Sequence, residues 1–268
     1  MTPVKRDAVA KPVFLSASEP DPKRRPEYWE SRRLLNVREA VRALAAYMLP
    51  RQPLVFGGHP AITPLVDAIA GRIRHDAAGR EATSPRVLRF LSEHFAARFP
   101  PDVVAIPDTV LTPSVDTKGE MMPPNSGDRA MSLLLMRYAM IGRPERPPVV
   151  ERMGRYRDWF GQERRRRFGT TDFAAGIFIG GMEGVEREFN IFRHFHPTTP
   201  AWPIASTGSA AAHLLESLEL PPELAAMLRE DTVYSLVMEE LLGREPTHVP
   251  RPAQPFREED HLDPPGLG

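Results

Sequence analysis

The chain has 268 residues, 41% of them hydrophobic, which suits one large α/β domain, or one domain with ordered insertions and a tail. Its 35 basic and 35 acidic side chains cancel, so no overall field draws it to nucleic acid or an anionic membrane. It has no cysteine, which excludes disulfides, thiolate metal sites and a cysteine nucleophile and fits a cytoplasmic setting. The opening residues, 1–11, lack the apolar run of a secretory signal and are expected to be flexible. No segment approaches the roughly 20 apolar residues of a membrane-spanning helix.

In chain order, Val13-Phe14-Leu15-Ser16-Ala17-Ser18 reads as a short buried strand that breaks at Glu19-Pro20. Val37, Ala40, Val41, Leu44, Ala45 and Met48 then fall on one face of a helix, which Pro50 and Pro53 end. Leu54-Val55-Phe56 is a second buried strand, closing in Gly57-Gly58-His59, and Thr63-Pro64 starts a helix with an apolar stripe at Leu65, Val66, Ile69 and Ile73. Residues 86–99 are ambiguous: Leu88, Leu91, Phe95 and Phe99 fit one helix face, but the alternating rhythm of strands and helices favours a strand followed by a short helix. Residues 107–128, rich in proline, threonine, glycine and aspartate, are expected to form a long loop.

The stretch 132–140 is a strongly apolar helix, read as core or as a subunit interface, and 143–172 is polar and basic. Gly176-Ile177-Phe178-Ile179 is a buried strand running through Gly180-Gly181 into a helix at 184–196. Trp202-Pro203-Ile204-Ala205-Ser206-Thr207-Gly208 repeats the strand-to-helix turn, with helices to follow at 209–219 and about 221–242. From Arg244 to Gly268 prolines recur without an apolar period, so a disordered tail is expected there.

Four strand ends therefore carry small residues: Ser16-Ala17-Ser18, Gly57-Gly58, Gly180-Gly181 and Ser206-Thr207-Gly208. In a parallel sheet all strand C-termini lie along one edge, where open α/β folds bind ligands. Glycine turns expose backbone N–H groups, and a helix start favours an anion. Each residue also has a plainer reading. Glu183, Glu186 and Glu188 can simply complement the helix dipole. His59 can be a loop residue, Ser92 and Ser206 can cap turns, and the run Arg164-Arg165-Arg166-Arg167 can be a solvated face. His194 and His196 fit as cations favoured by a helix C-terminus, and their spacing makes no metal site.

Gly180-Gly181-Met182-Glu183-Gly184-Val185-Glu186-Arg187-Glu188 resembles the glycine turn of the SLOG domains, GG-x-G-T-x-x-E or GG-x-x-G-x-x-E. Residues 13–18 are similar to that superfamily's first strand and 54–60 to its second, and the likeness spans roughly 12–220. The superfamily includes the cytokinin-activating LOG phosphoribohydrolases, the DNA-processing protein DprA, the sensor domains of TRPM channels and sensors of bacterial anti-phage systems. The resemblance implies a Rossmann-like fold and a site for a nucleotide-derived molecule such as an ADP-ribose species. In the LOG enzymes an arginine and the motif glutamate support cleavage of a base–ribose bond. Here Ile179 stands where those enzymes carry proline, Val185 replaces their threonine, and one extra residue lies between the glycines.

The sequence thus points to a three-layer Rossmann-like α/β fold with a mostly parallel sheet over 12–243 and additional C-terminal helices. The expected function is sensing of a nucleotide-derived second messenger, in an anti-phage system, through a homo-oligomer or a separately encoded effector, without a cofactor, metal, nucleic acid or membrane. Expected ligand contacts are Ser16, Ala17, Ser18, Gly57, Gly58, His59, Ser92, Gly180, Gly181, Met182, Glu183, Gly184, Val185, Glu188 and Ser206. The alternative is a LOG-type N-glycosidase in which Glu188 acts on the ribose and Arg98 orients the base.

Overall fold

The computed structural model describes residues 10–23, 25–77, 86–98, 108–243, 251–252 and 257–262. Six strands form one parallel sheet: β1 (Val13–Ser18), β2 (Leu54–Gly57), β3 (Val87–Ser92), β4 (Thr109–Thr112), β7 (Ala175–Gly180) and β8 (Ala201–Ile204). Two-stranded pairings are added by β5 (Ser114–Val115) with β6 (Met121–Met122), and by β9 (Leu218–Glu219) with β10 (Arg251–Pro252). The order in the large sheet is β4-β3-β2-β1-β7-β8. The chain builds outward from β1 to β4, then returns to the other side of β1 with β7. That reversal is the topological switch point, and the register Ser18 to Gly180 places both strand ends beside it.

Side-chain alternation explains the three layers. Val13, Leu15, Ile177 and Ile179 face one way and pack on α2 (Leu34–Met48) and α3 (Thr63–Ala77), with the C-terminal helices α8 (Pro222–Glu230) and α9 (Tyr234–Leu242) added alongside. Phe14, Val55, Leu88, Phe90 and Phe178 face the other way, onto α4 (Arg129–Ile141) and α6 (Glu183–Phe195). Gly176 leaves room on that second face. A Cβ there would lie 3.0 Å from the Phe192 ring, which stacks on Phe14 with centroids 5.6 Å apart. The short α1 (Pro26–Glu30), α5 (Gln162–Phe168) and α7 (Ser209–Glu216) complete the helices named here. Among the described residues no helix is long and apolar enough to cross a membrane.

Four expectations change. The proline-rich segment 107–128 contains β4, a four-residue edge strand, and the β5–β6 hairpin. The edge position requires pairing on one side only, so so short a strand survives beside proline. The arginine run is not one solvated face: Arg164 is fully buried and donates to the carbonyls of Met140, Ile141, Gly142 and Thr171, closing the C-terminal end of α4. Burial lowers its pKa to about 9. Arg165 and Arg166 are exposed, as expected.

His194 and His196 are not dipole-stabilised cations. Burial pushes both below the ordinary imidazole value, His196 well below it, while their Nε2 atoms meet the carbonyls of Pro147 and Ile141 at 2.8 Å each. Finally, part of the tail expected to lack structure packs on the domain. His261 is fully buried, its Nδ1 2.9 Å from the Tyr138 hydroxyl. Burying an imidazole and Leu262 against the aromatic core supplies an anchor that the proline-rich composition hides. Residues 244–250, 253–256 and 263–268 of the expected tail, and 1–9 of the expected flexible start, lie outside the described residues.

Candidate functional site

A half-open cleft of about 200 Å³ lies at the C-terminal ends of β1 and β2, on the side of the sheet that α4 and α6 cover. Two strand ends and two helices build it. The end of β1 contributes Leu15, Ser16, Ala17 and Ser18, and the turn after β2 contributes Gly57, Gly58 and His59. The start of α6 contributes Met182, Gly184, Val185 and Glu188, and α4 contributes Arg129, Leu133, Met136 and Arg137. The i, i+4 spacing places Gly184 and Glu188 on one face of α6, and the i, i+4, i+8 spacing does the same for Arg129, Leu133 and Arg137 on α4.

Arg137 is the electrostatic centre. Its Nε lies 3.5 Å from Glu188 Oε1, with the two side chains only 5% and 14% exposed. Its guanidinium sits over Gly184, where a Cβ would come within 3.3 Å of Nη2. Gly57 serves the opposite wall: a Cβ there would lie 3.7 Å from Met136 Cε and 3.9 Å from Glu188 Oε1, inside the cleft. Among the described residues the hydroxyl of Ser16, itself 1% exposed, has no hydrogen-bond partner. An unpaired buried hydroxyl costs about 1–3 kcal/mol, a cost that a polar ligand can offset. The Nδ1 of His59 accepts from the Ala61 N–H at 3.2 Å, which assigns the proton of the neutral ring to Nε2.

Three backbone amides of the glycine turns are already engaged. Gly58 N–H donates to the Phe90 carbonyl at 2.9 Å, His59 N–H to Thr63 Oγ1 at 3.2 Å, and Gly180 N–H to Thr207 Oγ1 at 2.8 Å. The glycines at 180 and 181 serve the backbone instead. Both have positive φ, 55° and 85°, and side chains there would run into Val37 and Val185 respectively. Anion recognition at this edge therefore falls to the arginines, the hydroxyls and the first turn of α6, where N–H groups have no preceding carbonyl to meet.

Of the expected contacts, Ser16, Ala17, Ser18, Gly57, Gly58, His59, Met182, Gly184, Val185 and Glu188 converge on the cleft. Five others do not line it. Ser92 is buried, its Oγ accepting from the His94 N–H at 3.3 Å, and Ser206 Oγ lies 3.3 Å from the Tyr234 hydroxyl. Glu183 is 3% exposed and turns to Arg25, whose Nε is 3.3 Å away. Gly180 and Gly181 form the turn but are not part of the cleft lining. Arg98, the arginine expected for base orientation, is exposed, 5.4 Å above the Phe95 ring and outside the cleft lining.

The arginines that do line the cleft, Arg129 and Arg137, escaped the sequence reading because the helix around them is apolar and reads as core. A signal was present. Arg137 is the one charged residue between 130 and 142, and a charge inside a core helix demands a partner. Among the described residues no group of three or more histidines and carboxylates is placed to hold a metal ion.

No curated protein matches the chain significantly. A family model described as "SLOG cluster3 family" matches residues 27–150 and 157–242, well over half of the chain. With its parallel sheet and its cleft at the switch point, the chain belongs to the SLOG cluster3 family.

Proposed function

We infer from membership of a SLOG family that the chain binds a nucleotide-related ligand or has a LOG-like role. We propose that this chain is a sensor whose cleft binds a nucleotide-derived second messenger of the ADP-ribose kind, acting in a bacterial anti-phage system through its own assembly or a separate effector. The observation that carries the reading is the meeting, in one cleft, of two arginines, a carboxylate and two serines. Arg129 and Arg137 suit phosphate, because the guanidinium fork offers several donors at once. Glu188 accepts hydrogen bonds from a ribose diol, and its pairing with Arg137 holds its charge near the sugar rather than the phosphate. Leu133, Met136, Met182 and Val185 provide an apolar wall for a base. A ligand then shifts assembly only as far as its affinity differs between two states.

The test is a thermal-shift screen with AMP, NAD, ADP-ribose and cyclic nucleotides. A ligand at 100 times its dissociation constant stabilises by about 2.7 kcal/mol, roughly 5 to 10 °C for a domain of this size. No shift across the panel sinks the sensor reading. A second reading, N-glycosidase action, is favoured by one observation: an arginine and a glutamate face each other within the cleft. Chromatographic release of free base, abolished in Glu188→Gln, would establish that reading in place of the first.

A further inference from the structure

The two helices that wall the cleft are tied together a second time, behind it, by the end of the chain. His261 is fully buried and its Nδ1 meets the Tyr138 hydroxyl at 2.9 Å, on α4 and next in sequence to Arg137. The carbonyl of Asp260 accepts from Asn190 Nδ2 at 3.3 Å, on α6 and two residues beyond Glu188. The His261 ring also lies 5.7 Å from that of His194, one turn further along α6, and Leu262 packs on the same core. The segment holds its own shape through the Arg257 N–H, which donates to Asp260 Oδ2 at 2.8 Å. A six-residue piece therefore touches both cleft helices at positions adjoining the Arg137–Glu188 pair. The 3.5 Å separation of that pair depends on how far apart the two helices sit.

We infer that Arg257–Leu262 is a strap that fixes the spacing of α4 and α6, so that its docking and release set the affinity of the cleft for its ligand. The inference rests on the cleft being the ligand site. A strap suits this task because its hold is local. One imidazole, one backbone carbonyl, one leucine and a surface ion pair between Glu258 and Arg152 dock it, and their release leaves the sheet and its two apolar layers in place. Local opening of this kind costs far less than unfolding. An effector that captured the segment from outside would loosen the cleft, and ligand in the cleft would hold the segment down, because coupling between two sites is reciprocal.

The experiment uses the full-length chain in three forms. His261→Ala releases the strap, and Tyr138→Phe removes only the hydroxyl that His261 meets. In the third form, Asn190→Cys with Asp260→Cys, a short thiol crosslinker closes the strap, and the absence of native cysteines leaves these two thiols as the sole targets. Amide hydrogen exchange without ligand reads the strap directly. Exchange over 133–141 and 185–192 should rise severalfold in the first two forms and fall in the crosslinked one, while the sheet stays protected. ADP-ribose affinity should fall about tenfold in His261→Ala, in line with the loss of a buried anchoring contact, and should stay at the wild-type level or rise in the crosslinked form. Exchange unchanged in His261→Ala, or raised evenly over the whole domain, overturns the strap. Helix-specific exchange changes in a protein whose wild type ignores ADP-ribose would leave the strap standing and discard that ligand.

Discussion

Replacing Arg164 with methionine tests the most unexpected reading in the fold, a buried guanidinium inside a run of four arginines. Methionine keeps the aliphatic stem, so the cavity left behind is small. The loss is of donors to the carbonyls of Met140, Ile141, Gly142 and Thr171, three of which end α4 and have no amide of their own helix to meet. Ile141 keeps the His196 Nε2 contact, so three carbonyls bear the change. Each buried carbonyl left unpaired costs about 1–3 kcal/mol, and relief of the guanidinium's own desolvation offsets several kcal/mol of the total. The net expected loss is about 3–5 kcal/mol, a fall in melting temperature of roughly 6 to 20 °C. Differential scanning calorimetry of Arg164→Met beside Arg165→Met and Arg166→Met provides the comparison. The two neighbours are surface ion-pair residues and should stay within about 0.5 kcal/mol of wild type. Equal losses at all three positions, or none at Arg164, would refute the capping role.

Acid should weaken the fold through its buried imidazoles. Burial lowers His261 from 6.5 to about 4 and His196 well below 6.5, so between those values the unfolded chain binds more protons than the folded one. Stability is then full above about pH 6.5 and falls as the pH drops towards 4, by on the order of 2–3 kcal/mol for His261 alone. Urea midpoints across that range check this, and a flat profile contradicts it. Gly181→Ala should cost at least about 1–3 kcal/mol, because φ is 85° and the new methyl meets Val185. Adding Val185→Ala should recover only the steric part, as denaturant melts will show, and full recovery would mean that the backbone is not strained. Ser16→Ala should leave the ligand-free protein unchanged or about 1 kcal/mol more stable, since its hydroxyl is buried without a partner among the described residues. The same variant should shrink the thermal shift given by any cleft ligand, and a destabilised free protein would show that the hydroxyl serves the fold instead.

Much of the architecture is legible locally. Val13-Phe14-Leu15, Leu54-Val55-Phe56 and Ile177-Phe178-Ile179 are short apolar runs stopped by small residues, as doubly covered parallel strands are. The ambiguous stretch 86–99 divides as its strand-and-helix rhythm suggests, into β3 and a 3₁₀ segment at Glu93–Arg98. β4 is not legible, since four residues between prolines carry too short a pattern to separate an edge strand from a loop. Within the candidate site, residues adjoining glycine turns announce themselves. Arg129 and Arg137 do so only weakly: a lone charge in an apolar helix demands a partner but does not say which turn faces the sheet edge and which faces the core.

The sequence by itself determined the alternation of strands and helices, the glycine turn at 180–184 and the presence of a carboxylate one helical turn beyond it. Those features depend on backbone preferences and on which faces of a segment are apolar, both written within a few residues. Only the tertiary structure decided that the turn's glycines serve the backbone and that Arg137, 51 positions away in sequence, is the partner of Glu188. It also turned Arg164 inward and brought the chain's last described residues behind the cleft. The reason is physical. A buried charge or imidazole is tolerated only where the assembled fold supplies its partners, and those partners are distant in sequence.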